Sequence, residues 1–577
     1  MEKIIFVFAI LLLLVSCNPD RNEVEHGSHQ PIQVTEEAES EQASIHPDQV
    51  KGFVYDEVNE PINGAIVRLQ TTSIYSVSEK DGSFLLDGVP EGKAFRLTAF
   101  APGFFIKEQE TRGGRDGIIF HLHAHSMVDN LDYQWLSAGV VNPPSGDGSV
   151  CADCHASNEE NVSLPYDEWL LDAHAQSGKN PRFLSMYNGT DLSGNRSPLT
   201  TYIIQRDYGR IPLRYSDDQP YYGPGFLLDF PESSGNCAAC HMPLAAVDAP
   251  YDTDPIFASG IAKEEGINCD FCHKIWDVKL DPKTGTPYSN MPGVMSLELL
   301  RPPDGHQLFI GPFDDVAPGE DTFSPLQNQS EYCAACHFGD FWDIQIYNSF
   351  GEWLESPYSD PESGHFQTCQ DCHMPPLGND HFVQIEKSGL IRDPATIFSH
   401  KMLGASDIEF LQNTVELEVD AYLKEGSLIV DVTLENSLAG HHIPTDSPLR
   451  QILLVVEVEN QNGESLVLAE GPILPEWTGD LANLPGKYYA KILEELWTEI
   501  YPSGAYWAQT RIIEDTRLAA FEIDKSSYKF DVSEDPEDYS IIVKLLYRRA
   551  FFDLMEQKGW NTPDIEMESV TIELTGS

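Results

Sequence analysis

Ten of the eleven cysteines in this 577-residue chain fall into five pairs, each with two residues between the thiols and a histidine directly after. They read CADCH (Cys151, Cys154, His155), CAACH (Cys237, Cys240, His241), CDFCH (Cys269, Cys272, His273), CAACH (Cys333, Cys336, His337) and CQDCH (Cys369, Cys372, His373). A zinc site built from four cysteines takes such pairs two at a time, which strands one pair and leaves the histidines unexplained. A redox dithiol is normally a single motif beside a thioredoxin-like βαβ pattern. Disulfides suit an exported chain but need no histidine at a fixed offset. Covalent haem c uses all three residues: two thiols add to the vinyl groups, and the residue that follows reaches the iron. The motifs therefore predict five covalently bound haem c groups (Fe). The ten cysteines anchor them, and His155, His241, His273, His337 and His373 are the proximal ligands.

Each iron needs a sixth ligand or keeps an open position. Thirteen histidines remain beyond the five proximal ones. His26, His29 and His46 sit in a polar, acidic N-terminal stretch and are poor candidates. His121, His123, His125, His174, His306, His365, His381, His400, His441 and His442 are enough to make every haem bis-His. Met242 and Met374 directly follow a proximal histidine, cannot turn back onto the same iron, and are expected to pack a porphyrin edge. Bis-His ligation implies potentials below those of His/Met cytochromes.

The segments WLLDAHAQSGKNPRF (His174), HQLFIGPFDD (His306), EYCAACH, EWLESPY, CQDCHMP, SHKMLGASD (His400) and AGHHIPTDSPLR (His441, His442) carry a family resemblance from about Tyr133 to Met567. The chain resembles the multihaem c-type cytochromes of the cytochrome c-554/hydroxylamine-oxidoreductase-like superfamily, with an appended C-terminal β domain. The resemblance implies distal ligands at His174, His306, His400 and one of His441 and His442. For the fifth, His123, His125, His381 and His365 compete in that order. Two adjacent histidines point in opposite directions, so one of His441 and His442 is expected to ligate and the other not.

The elements that must hold these residues divide the chain. Haem supplies apolar surface, so residues 126–410, rich in Gly, Pro and Asn, are expected to form a mostly α-helix-and-loop pentahaem domain with short helices after each CxxCH. Before it, alternating strands bounded by Glu60-Pro61, Asn63-Gly64, Asp81-Gly82 and Pro90-Glu91-Gly92 predict a small sandwich over 49–125. That segment resembles the carboxypeptidase regulatory-like domain, a seven-stranded immunoglobulin-like β-sandwich, without any zinc peptidase motif. After it, Val415, Leu417 and Val419, then Leu428, Val430, Val432 and Leu434, alternate as in a β-sandwich over 411–577. Gln461-Asn462-Gly463, closing a run from Gln451 to Val458, is a hairpin signal.

The N-terminus has Lys3 and an apolar run from Ile4 to Val15, too short to span a bilayer and suited to a signal peptide over 1–16. Leu14-Val15-Ser16-Cys17 resembles the lipobox of bacterial lipoproteins, which implies lipidation at Cys17 and a disordered acidic tether over 17–48. The chain carries 92 acidic against 36 basic residues, a formal charge of −56. Such a surface repels nucleic acid and excludes it as a main partner.

The expected function is electron transfer along stacked bis-His haems. The protein would be exported and lipid-anchored to the outer membrane, on its periplasmic or cell-surface face. Its partners would be other redox proteins or an extracellular electron acceptor. No catalytic residue is assigned. Two alternatives stay open: reduction or oxidation of a small nitrogen or sulfur compound at one open haem, and a conductive filament in which chains share haem ligands. All five motifs end in His, which counts against the nitrite-reducing relatives that carry a CxxCK haem.

Overall fold

The computed structural model describes residues 45–214, 219–533 and 537–575. Cys17, the signal peptide and the tether as far as residue 44 lie outside the described residues. Among the described residues no helix is long and apolar enough to cross a membrane.

The chain forms several β-sheets around a loop-rich centre. Seven strands open it: β1 (Gln49–Tyr55), β2 (Ile66–Leu69), β3 (Tyr75–Val77), β4 (Ser83–Asp87), β5 (Ala94–Phe100), β6 (Lys107–Arg112) and β7 (Arg115–His121). They make a three-stranded sheet in the order β4-β1-β7 and a four-stranded sheet in the order β3-β2-β5-β6. Period-two alternation turns Val50 and Val54, Val67 and Leu69, Phe84 and Leu86, and Ile118 and Phe120 into one buried core between the sheets. Gly52 is required where β1 runs against β7, since a Cβ there would lie 2.0 Å from the Ile118 carbonyl oxygen.

This module is clamped onto the centre of the chain. The Arg68 guanidinium donates to both carboxylate oxygens of Asp314 at 2.6 and 2.7 Å. The Thr71 amide donates to Asp315, whose carboxylate also receives Arg392.

The expected mostly helical centre does not form. Its longest helix, Pro181–Asn188, has eight residues, and two-stranded pieces such as Thr201–Gln205 with Gly209–Leu213 and Phe309–Gly311 with Asp321–Phe323 intervene. Helices this short are marginal in isolation and persist through what they pack on. Only after His241 does a short helix, Pro243–Ala246, directly follow a motif among the described residues. The helical turn is the motif itself: Ala152–His155, Ala238–His241, Cys269–Cys272 and Cys369–His373, with the turn Glu331–Ala334 running into Cys336 and His337.

The C-terminal sandwich packs a sheet of Glu416–Lys424, Ser427–Glu435, Ile523–Asp531 and Leu468–Glu470 against a second sheet. That second sheet is ordered Thr510–Asp515, Gly486–Glu495, Gln451–Asn460, Tyr539–Arg548, Ile565–Leu574. Leu428, Val430, Val432 and Leu434 meet Ile452, Leu454, Val456 and Val458 in the core. The Asn460–Glu464 turn forms, with the Gly463 amide donating to the Asn460 carbonyl at 2.9 Å. The returning chain is not a full hairpin partner. It makes one bridge, Glu459 with Ser465, and then Leu468–Glu470 joins the opposite sheet.

Candidate functional site

In a helical turn, residues i, i+3 and i+4 share one face. The spacing CxxCH therefore turns both thiols and the imidazole of each motif to one side and the two intervening residues to the other. Those intervening residues are buried in the protein core: Ala152 and Asp153, Ala238 and Ala239, Asp270 and Phe271, Ala334 and Ala335, and Gln370. The motif faces open onto a single cavity of about 2520 Å3, lined by all five motif histidines and by every motif cysteine except Cys372. A pocket for one ordinary ligand is about 300–1,000 Å3.

The ten motif cysteines form no disulfide. Between motifs, Cys151 interacts with Cys269, Cys240 with Cys336, and Cys333 with Cys369. The Tyr332 hydroxyl, next to Cys333, donates to the Cys272 carbonyl at 2.9 Å. The motif at Cys333–His337 therefore touches three of the other four. Burial pushes the Cys237 and Cys272 thiols up to about 12. Among the described residues no group of three or more His, Cys, Asp or Glu side chains converges to hold a metal ion directly.

The proximal imidazoles are oriented from behind. The Nδ1–H of His155 donates to the Phe382 carbonyl at 2.9 Å, that of His273 to Ile310 at 2.8 Å, and that of His373 to Leu403. Fixing Nδ1 in this way leaves the Nε2 lone pair free for a metal. Burial holds His241 and His373 down at about 4, keeping them neutral and able to ligate. His337 differs. Burial lowers it, but its ion pair with Asp446 (Nδ1 to Oδ2, 3.7 Å) outweighs burial and raises it to about 9.

Two of these imidazoles are faced by a second histidine. The ring centroids of His174 and His337 are 6.3 Å apart, and those of His441 and His373 are 6.2 Å apart. An imidazole nitrogen sits about 2.0 Å from a bound first-row metal, with the ring centre roughly 1.1 Å beyond it, so two rings on one iron have centres about 6.3 Å apart. Behind His174, Nδ1–H donates to Asp172 at 2.7 Å; behind His441, it donates to the His442 carbonyl at 2.9 Å. The loop carrying His441 is clipped by fully buried Asn436, which donates to the His441 and Leu518 carbonyls at 2.9 and 3.0 Å.

The remaining expected ligands are dispersed. His400 lines the cavity, with Nδ1 3.3 Å from the Phe398 carbonyl, and is pushed down to about 4 by burial and then by neighbouring His273. His442 turns away to the Glu352 carboxylate at 3.1 Å. His306 is exposed on the turn after Pro303, and exposed His123 meets Glu57 at 2.6 Å; neither lines the cavity. His125 is buried against Phe105 and Trp276 with Nε2 unpartnered, His381 donates to Asp380 at 2.8 Å, and His365 lies against Phe521. The motif histidine His241 stacks on Phe183 at 3.9 Å. Met374 lines the cavity, whereas Met242 is buried in the adjacent core.

Sequence reasoning missed Asp172 and Asp446. An Asp-x-His spacing could have suggested the first. Nothing local marks the second, whose partner comes from a distant motif.

A crystal structure of a penta-heme cytochrome c552 from Thermochromatium tepidum aligns with 74% of this chain and 97% of its own, at 18% identity and a TM-score of 0.50. The two chains share a fold. The N-terminal domain of PorA (10% identity, 28% of this chain and 96% of that chain) and a PapD-like domain of human CEP192 (11%, 29% and 85%) align at a TM-score of 0.12, too low to bear on the argument. No family model and no curated protein matches.

Proposed function

We infer that this chain is a multihaem c-type cytochrome that holds five haem c groups in one cavity and passes electrons between them. The observation that carries the reading is the pairing of His174 with His337 and of His441 with His373. Each pair spans the distance one iron requires, inside a cavity onto which all five CxxCH motifs open. Haem c supplies the ferric/ferrous couple. The chain would anchor each group by two thioethers, offer imidazoles to the metal, and set potential through charge and hydrogen bonding behind the ligands. The contacts of the Cys151 motif with Cys269, and of the Cys333 motif and adjoining Tyr332 with three others, support groups close enough to exchange electrons.

A lipidated Cys17 would hold the protein at the outer membrane, where another redox protein or an extracellular acceptor receives the electrons. The haem-to-protein ratio and low-temperature EPR of the purified protein test this reading. Five haems per chain, at least two of them low-spin ferric bis-His, are expected; a chain without covalent haem overturns it. The second reading, redox chemistry on a small nitrogen or sulfur compound at one open haem, is favoured at the Cys237 motif, where Phe183 packs on His241 and arginines and tyrosines line the wall. There a high-spin ferric signal is expected.

A further inference from the structure

One sheet of the C-terminal sandwich ends at the cavity with an arginine on each of two neighbouring strands. The strands Gln451–Asn460 and Tyr539–Arg548 run antiparallel with Gln451 opposite Arg548. Arg450 directly precedes the first strand and Arg549 directly follows the second, so both stand at this end of the sheet. Both line the cavity, as does Arg182. Arg182 sits on the helix Pro181–Asn188 directly before Phe183, which stacks on His241. Like charges held close together are destabilising, and a chain of formal charge −56 has carboxylates to spare. Yet the acid that acts on Arg450 is Asp446, already engaged with His337. After burial itself, Arg549 is the largest influence disfavouring the charge on Arg182.

The contacts these groups make hold them without neutralising them. Arg450 donates to the Thr445 carbonyl at 3.1 Å, and Arg182 donates to the Thr562 hydroxyl and lies 5.9 Å from the Trp560 ring centre. Arg549 Nε is buried with no hydrogen-bond partner. So is the hydroxyl of Tyr547, a residue only 3% exposed, which also lines the cavity. Tyr347 and Tyr506, with ring centres 5.7 Å apart, continue this wall to Cys237. A cationic wall with idle buried donors is one from which an acceptor is missing.

We propose that Arg182, Arg450 and Arg549, with the Tyr547 hydroxyl, form an anion site beside the haem anchored by Cys237 and Cys240. The site rests on the multihaem reading above. Guanidinium forks match a planar, singly charged oxyanion, a carboxylate or a nitrite-like ion, because both present two oxygens in one plane. The oxyanion comes either from the propionates of that haem or from solution.

The test uses full-length holoprotein, with the haem-to-protein ratio measured first. A wild-type count below five overturns the parent reading instead of the site. Wild type, Arg549→Gln, Arg549→Lys and Tyr547→Phe are then titrated with sodium nitrite and followed by EPR and optical spectra. A saturable change that Arg549→Gln weakens tenfold or more, and Arg549→Lys retains, supports a site for free oxyanion. No nitrite response in wild type, together with one haem whose potential falls in Arg549→Gln but not in Arg549→Lys, supports the propionates as occupant, since removing a cation favours ferric iron. Arg549→Gln and Tyr547→Phe proteins that hold five haems and match wild type in both experiments overturn the site.

Discussion

His174 and His337 face each other with ring centres 6.3 Å apart, and each has a carboxylate behind it: Asp172 at 2.7 Å from His174 and Asp446 at 3.7 Å from His337. His441 and His373 face each other at nearly the same separation, but behind them stand backbone carbonyls, those of His442 and Leu403. The same pairing of histidines thus occurs with an anionic and with a neutral group behind the rings. An anion behind a ligating imidazole makes it a stronger donor and favours ferric iron. The haem of Cys333 and Cys336 is therefore expected to have a lower potential than that of Cys369 and Cys372.

Asp446→Asn should raise the potential of one haem and leave the other four in place. Spectroelectrochemistry with EPR detection reads this directly, and Asp172→Asn should shift the same component in the same direction. Shifts in two different components would separate the two carboxylates and break the assignment of His174 to the iron of His337.

The two adjacent histidines of the GHHIPTD loop should behave oppositely. His441→Ala should convert one low-spin ferric haem to high-spin, because it removes the ring facing His373. His442→Ala should leave the low-spin count unchanged, because that ring turns to Glu352. A high-spin signal from His442→Ala and none from His441→Ala would reverse the roles.

Asp321 predicts a pH dependence of stability. Its Oδ2 is enclosed without a hydrogen-bond partner. Burial, followed by the charge of Glu320, pushes its carboxyl up to about 7 from 3.8, with Lys274 opposing. The folded chain keeps this proton until about pH 7, whereas the unfolded chain loses it near 4. The contribution of Asp321 to stability is therefore full below about 4 and is lost as pH rises to about 7. At 1.36 kcal/mol per pH step the loss is at most about 4 kcal/mol, less because part of the residue faces the cavity. Asp321→Asn should raise the thermal midpoint at pH 8 more than at pH 4; an equal change at both would refute the assignment.

Docking of the N-terminal module should depend on one pair. Arg68→Ala leaves the Asp314 carboxylate, 9% exposed, without its cation. Breaking such a pair from one side costs about 3 kcal/mol. Limited proteolysis should then cut faster in the stretch after His121 and release the module. Unchanged cleavage would show that Asp315 and its partners suffice.

By itself the sequence determined what is local. The spacing Cys-x-x-Cys-His puts three reactive groups on one face of a single helical turn wherever it occurs, so the five clusters of two thiols and an imidazole were legible without a fold. Period-two alternation likewise placed Val50 and Val54, and Leu428 to Leu434, in sandwich cores, because a strand sends successive side chains to opposite faces. The extent of helix in the centre was not legible. There packing on neighbours, not propensity, decides which short turns persist.

Nor was it legible which motif histidine each of the resemblance's distal candidates would meet. His174 meets His337, and His441 meets His373, across long stretches of chain; His306, with equally good local sequence, is left exposed. The Asn460–Glu464 turn formed as its residues dictate, yet its second arm went to the opposite sheet. Asp446 and the gathering of Arg182, Arg450 and Arg549 along one cavity carry no local signal. Only the tertiary structure decided these relationships, because ligand pairing and charge neighbourhood depend on distances in space, which spacing along the chain specifies only within a turn or two.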